Sequence, residues 1–146
     1  MDIKKIIGVS IRTTNKNGQA YADLGQLWSK FFENSERIPN KLSNDIYAIY
    51  TDYETDYTGK YTAIVGYEVA SFELIPDGFV GKEIGGGTYI KFIAKGEMPN
   101  AIAQTWQEIW EKEEELNRRY TTDFEVHTEH SQKGKDSEVE IFIAIK

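Results

Sequence analysis

Moved along itself by 78 residues, the chain aligns without a gap: Gly8 falls on Gly86, Gly18 on Gly96, Trp28 on Trp106, Glu33 on Glu111 and Asp45 on Asp123. Gln26 and Glu36 meet Gln104 and Glu114 in the same frame. Identities this sparse are weak alone, but the pattern of each half agrees as well. Each carries an apolar strand, a glycine, an amphipathic helix with a central Trp, then two strands. A duplicated strand–helix–strand–strand unit constrains the fold to two halves about a pseudo-twofold axis. The seam between such halves is where small molecules tend to bind.

Ile7, Val9 and Ile11 alternate within residues 3–14, which predicts a strand. After the polar turn Asn15 to Gly18, Leu24, Leu27, Trp28 and Phe31 form one helical stripe from Gln19 to about Asn34. Pro39 and Asn40 break the chain, and residues 45–54 and 61–72 predict a strand pair around the polar loop Thr55 to Lys60. Pro76-Asp77-Gly78 and the triplet Gly85 to Gly87 frame a short strand, Phe79 to Ile84. They place a boundary inside a single domain of residues 1–146, between a first repeat of about 1–75 and a second of about 79–146. The second half continues with a strand over 88–96 and a helix whose first turn holds Pro99 and whose stripe is Ile102, Trp106, Ile109 and Trp110, ending near Leu116. Strands over 123–130 and 137–146 flank the loop Ser131 to Asp136, and Val139, Ile141, Ile143 and Ile145 share one face. The expected fold class is α+β, two β-α-β-β repeats forming an antiparallel curved sheet with two main helices on one side.

Several function classes are excluded by composition and spacing. Among 146 residues there is no apolar run near the length of a membrane span and no basic start leading into an apolar stretch, so neither a span nor a secretory signal is expected. Zero cysteines leave no disulfide, thiol nucleophile or Cys-ligated metal, which fits a cytoplasmic protein. A net charge of −7 opposes direct nucleic-acid binding, which needs clustered Lys and Arg. Asp52, Glu54 and Asp56 step like a calcium loop, but Tyr57 stands where that loop requires Gly. The stretch GGGTY lacks the GK[ST] ending of a phosphate loop and precedes a strand. Residues 111–115 (EKEEE) are the solvated end of the second helix. His127 and His130 fall on opposite faces of a strand, so no shared metal and no cofactor are expected. Nine Tyr in an acidic chain suit a cationic or aromatic guest, and suit a strand-rich fold with a charged surface equally well.

Glu125 is the residue of greatest interest, because it sits inside a strand between Phe124 and Val126. By alternation it shares a face with His127 and Glu129. That face is either a solvated row of charges or a pocket in which a carboxylate neutralises a cation or acts as a general base. In the repeat frame its counterpart is Tyr47. Trp28 and Trp106 lie mid-stripe on equivalent helices, as core anchors or as walls for a flat or cationic molecule. Tyr89, the counterpart of Ile11, follows the glycine triplet and either points its hydroxyl into the seam or is an ordinary strand residue.

Taken together, IGGGTYIKFIAKG (84–96), the Trp-bearing helix, DFEVH (123–127), VEIFIAIK (139–146) and YAIYTDYETDYTGKYTAIVG (47–66) resemble the GyrI-like, or bacterial transcription-activator effector-binding, domain. The likeness runs from Ile6 to Lys146 and is to stand-alone members of that family. It implies two β-α-β-β units about a pseudo-twofold axis with a pocket between them. It also implies that Glu125 is the glutamate of the "FE-x-Y" motif, which pairs with lipophilic cations on the floor of a Tyr- and Trp-lined cavity. Tyr89 matches the Tyr of "PAG-x-Y", and Trp28 or Trp106 matches the helix Trp. His127 stands where the family usually has Tyr, Gly85-Gly86 replace Pro-Ala, and Ala144 replaces a common Pro.

The function expected from residues and resemblance is capture of a hydrophobic, cationic or aromatic small molecule between the repeats, in drug sensing, transcription regulation or detoxification. The ligand-binding set is Glu125, Tyr89, Trp28, Trp106, Tyr47 and His127. An alternative is hydrolysis of electrophilic small molecules, with Glu125 as general base and Tyr89 as proton or hydrogen-bond donor. A further alternative is a protein-binding role, with a regulator protein or a topoisomerase as partner.

Overall fold

Seven strands and two main helices follow from the alternating and helical stripes above. The computed structural model describes residues 2–146. Strand β1 (Lys4–Thr14) leads into helix α1 (Gln19–Asn34) and strands β2 (Lys41–Thr51) and β3 (Lys60–Val69). Strand β4 (Val80–Ile84) bridges to β5 (Thr88–Lys95), α2 (Asn100–Glu111), the short α3 (Glu113–Leu116), β6 (Thr122–His127) and β7 (Glu138–Ile145). The helix expected to run on to Leu116 therefore breaks at Lys112. The strand expected to reach residue 130 stops at His127, because the Thr128 hydroxyl accepts from the His130 amide and starts a 3-10 turn over Glu129–Gln132. Glu129 thus leaves the strand and does not share a face with Glu125.

All strands join one antiparallel sheet in the order β4-β1-β3-β2-β6-β7-β5. Apart from β4, the order within the first half (β1, β3, β2) is mirrored in the second (β6, β7, β5). The halves therefore meet at the β2–β6 pair. The gap-free offset does not survive in detail. Ala48 pairs with Glu125 and both lie on the helix-bearing face, so residues 78 apart on β2 and β6 point to opposite faces. Tyr47 is consequently not the counterpart of Glu125. Ile11 packs under α1 while Tyr89 packs on the far face, so they are not counterparts either.

Among the described residues no main helix packs on the far face, yet a cluster drawn from it is almost free of solvent. Ile6, Ile49, Ile64, Ile84 and Phe124 are 0–4% exposed, and Val80, Tyr89 and Phe142 complete the set. A sheet can bury its own face only by curling over it. Connectivity demands the same. The two edge strands β4 and β5 are joined by Gly85, Gly86 and Gly87 alone, a link of at most about 14 Å, whereas seven flat strands would set the edges about 29 Å apart. All three glycines adopt positive φ (88°, 71° and 72°), which side chains rarely tolerate.

Gly8 pairs with Gly66 on the inside of the curl, where a Cβ on either would run into the other strand's backbone. We predict that Gly66→Ala lowers unfolding free energy by about 1–3 kcal/mol, the range for overpacking. Chemical denaturation checks this, and an unchanged midpoint would contradict it.

Candidate functional site

One row of cross-strand neighbours runs over the helix-bearing face: Val9, Val65, Ala48, Glu125, Ile141 and Phe92. Glu125 is its one charged member and is 2% exposed. A carboxylate withdrawn from water needs replacement donors, and here there are three. Its Oε2 accepts from the Trp106 indole N–H at 2.7 Å and from the Tyr50 hydroxyl at 2.9 Å. Its Oε1 lies 2.8 Å from His127 Nε2.

Helix packing explains why this point is special. Helix α1 rests on β1 and β3, and α2 rests on β5, so the central β2–β6 pair lies between the helices. Trp28 reaches inward from α1, edge-on to His127 at 4.9 Å, and Trp106 reaches inward from α2, edge-on to Tyr50 at 5.5 Å. Phe32, 60% exposed and 5.9 Å from Trp28, carries this aromatic wall to the surface. Tyr61 backs Tyr50 at 5.9 Å. Burial raises the Tyr50 pKa well above the ordinary phenol value, with the Glu125 charge adding to it. The same causes push Tyr61 up to about 12. Both therefore remain protonated near neutral pH, and Tyr50 stays a donor to Glu125.

A second buried acid lies two residues away on the same face, and it is compensated differently. Asp123, 0% exposed, accepts from Arg118 Nη2 at 2.7 Å, the Tyr53 hydroxyl at 2.6 Å and the Ala144 amide at 2.8 Å. Burial works against the Arg118 charge, but Asp123 beside it prevails and holds the guanidinium pKa above its ordinary value. Arg118 also stacks on Tyr120 at 4.3 Å. Asp123 is thus neutralised by a permanent cation, whereas Glu125 is held by two neutral donors and one imidazole. Of these two acids, Glu125 is the one without a permanently charged partner among the described residues. We predict that Arg118→Met, which strands Asp123 without its cation, costs about 3–5 kcal/mol of stability, as for other broken buried pairs. Urea unfolding measures it, and a loss below about 1 kcal/mol, typical of exposed pairs, would contradict the assignment.

Of the residues singled out in the sequence, the fold brings Glu125, Trp106, His127 and Trp28 together. It separates two others. Tyr47 points into the curl beside Ile49 and Phe124, and burial with Glu68 close by pushes it up to about 12. Tyr89 also lies on that inner side, edge-on to Phe124, and its hydroxyl donates to the Thr122 carbonyl at 3.0 Å. At the point where the resemblance implies a pocket, indole, phenol and imidazole pack directly onto Glu125. Surface clefts of ≈ 510 Å³ along the outer side of α1 and ≈ 270 Å³ beside Gly85 to Gly87 lie elsewhere and hold no buried acid of this kind. Tyr50, Tyr53, Arg118 and Asp123 were missed. The pairing of Asp45 with Asp123 in the repeat was the one available sign of an acid there, while nothing in NRRY marks Arg118 as buried. Among the described residues no group of His, Asp and Glu is arranged to hold a metal ion, and no helix is long and apolar enough to cross a membrane.

Comparison with known proteins agrees with this fold. Residues 1–145 match the family model described as Cass2, integron-associated effector binding protein. The integron cassette protein VCH_CASS2 of Vibrio cholerae has a solved structure that superposes with a TM-score of 0.75 at 29% identity, over 100% of this chain and 92% of that one. SAV2435, solved bound to tetraphenylphosphonium, shares the fold at a TM-score of 0.77 and 17% identity, over 100% and 90% of the two chains. Among curated relatives, YobU of Bacillus subtilis, named for transcriptional regulation, is 27% identical across 100% of this chain and 94% of its own length. The transcriptional regulator BrlR of Pseudomonas aeruginosa is 28% identical across 88% of this chain, which spans 48% of BrlR.

Proposed function

We infer that this chain, which belongs to the Cass2 family of integron-associated effector-binding proteins, captures a lipophilic cation against Glu125 in the crevice over β2 and β6. The observation that carries this reading is a carboxylate 2% exposed, walled by Trp106, Tyr50 and His127 with Trp28 against the imidazole, and lacking a permanent counter-ion among the described residues. Such a site disfavours small hydrated ions, which would have to shed water. It favours a bulky cation whose charge is spread under aromatic faces. The tetraphenylphosphonium complex of a protein with the same fold supports the choice of ligand class. Because the crevice is packed, the guest enters by displacing side chains. The aromatic rim at Trp28 and Phe32 is the apolar way in.

Hydrolysis has less support from the geometry. Glu125 and Tyr89 lie on opposite faces of the sheet, so the pair needed to activate water and protonate a leaving group is not assembled.

Replacing Glu125 by Gln preserves shape and removes charge. Calorimetry should then show tetraphenylphosphonium binding weakened at least about tenfold, near 1.4 kcal/mol. Binding of the neutral analogue triphenylphosphine oxide should change far less. Equal losses for the two compounds would remove the electrostatic part of this reading.

A further inference from the structure

Resting on the assignment of Glu125 as the guest's anchor, we propose that His127 is a built-in competitor for that carboxylate, so that cation binding is an exchange of guest for proton. Trp106 and Tyr50 share Oε2, which leaves Oε1 to His127 alone at 2.8 Å. Indole and phenol donors are neutral here and are able to keep their bonds when a guest arrives. Among the described residues His127 is the one hydrogen-bond partner of Glu125 that is able to carry positive charge, and imidazole changes charge nearer neutrality than any other ordinary side chain.

Position makes it the group that must move. The Glu125 side chain is 3% exposed and the His127 side chain 13%, so the ring lies on the outer side of the carboxylate. Its other neighbour is Trp28, edge-on at 4.9 Å, with Phe32 beyond at the surface. A cation approaching along that rim meets Oε1 where the imidazole now sits. The charged surroundings are simple. Among the described residues Glu125 is the one acid within ion-pair distance of His127, α1 presents Trp28 to the ring, and β2 presents the apolar Ile46 beside it.

The sign of the effect follows. A protonated imidazole pairs with Glu125 and leaves the crevice without net charge. A cationic guest then takes Oε1, and the Nε2 proton passes to solvent. Lowering pH raises the protonated fraction and weakens the guest's apparent affinity, by at most tenfold per pH unit. Raising pH removes the competing charge, and affinity climbs to a plateau on which no proton is released. A neutral guest shows neither effect.

The test is calorimetric titration of the full chain with tetraphenylphosphonium between about pH 5.5 and 8.5, in two buffers of different ionisation enthalpy. Wild type should bind more tightly as pH rises and release up to one proton per guest at the acid end. His127→Gln, which keeps a donor without a titrating charge, should bind with no pH dependence and at least tenfold more tightly than wild type at the lowest pH. Thermal melts establish folding, and His127→Phe, which keeps the contact with Trp28, serves if the Gln variant unfolds. A flat wild-type profile, an unchanged profile in both His127 variants, or no binding by any of these proteins overturns the exchange. If cation binding depends on Glu125 but not on pH, only the exchange falls. If it does not depend on Glu125, the anchor falls with it.

Discussion

A carboxylate buried at the centre of a sheet governs the arrangement around it. Bonds to a charged group contribute about 1.5–3 kcal/mol each, while a buried charge left without partners costs several. Glu125 therefore dictates that one donor come from α2, one from β2 and one from its own strand. Those demands hold Trp106 over the sheet, fix the Tyr50 hydroxyl and bring His127 against Trp28. Asp123 meets the same demand with Arg118 and Tyr53. Two acids on one short strand thus have opposite standing: one is paired with a permanent cation, and the other is held by two neutral donors and an imidazole.

The curl of the sheet makes this economical. By burying its inner face unaided, the sheet leaves the outer face for the helices, and their placement over opposite ends keeps the middle to side chains. Over the middle of that face, Glu125 is covered by side chains rather than by helix backbone. The proposed guest parts those side chains and fills the space with its own rings. The guest proposed for such a site is a cation whose apolar surface packs against the parted indoles and whose charge replaces that of His127.

Much of the fold was legible in the residues. The stripe Leu27, Phe31 on α1 and the alternation in β1 and β7 gave element types there, because each is a period that burial imposes directly. Glu125, Trp28 and Trp106 were legible as candidates for the same reason. Tyr47 and Tyr89 were misplaced because the offset between repeats is even for β3 and β7 but odd for β2 and β6 and for β1 and β5, and a single-residue slip reverses a strand's faces. Tyr50 was hidden by that same slip, since its contact with Glu125 depends on cross-strand register that no local pattern encodes. Arg118 was hidden for a different reason. Its burial follows from the break at Lys112 and the turn through Asn117 and Tyr120, both with positive φ (56° and 58°), and from a partner acid beyond it.

The most direct measurement is a crystal structure of this protein grown with tetraphenylphosphonium. The account predicts the phosphonium seated over the β2–β6 pair facing the Glu125 carboxylate, with the His127 ring turned away from Oε1 and the Tyr50 and Trp106 bonds to Oε2 kept. A guest lodged elsewhere, with the Glu125 cluster unaltered, would contradict it.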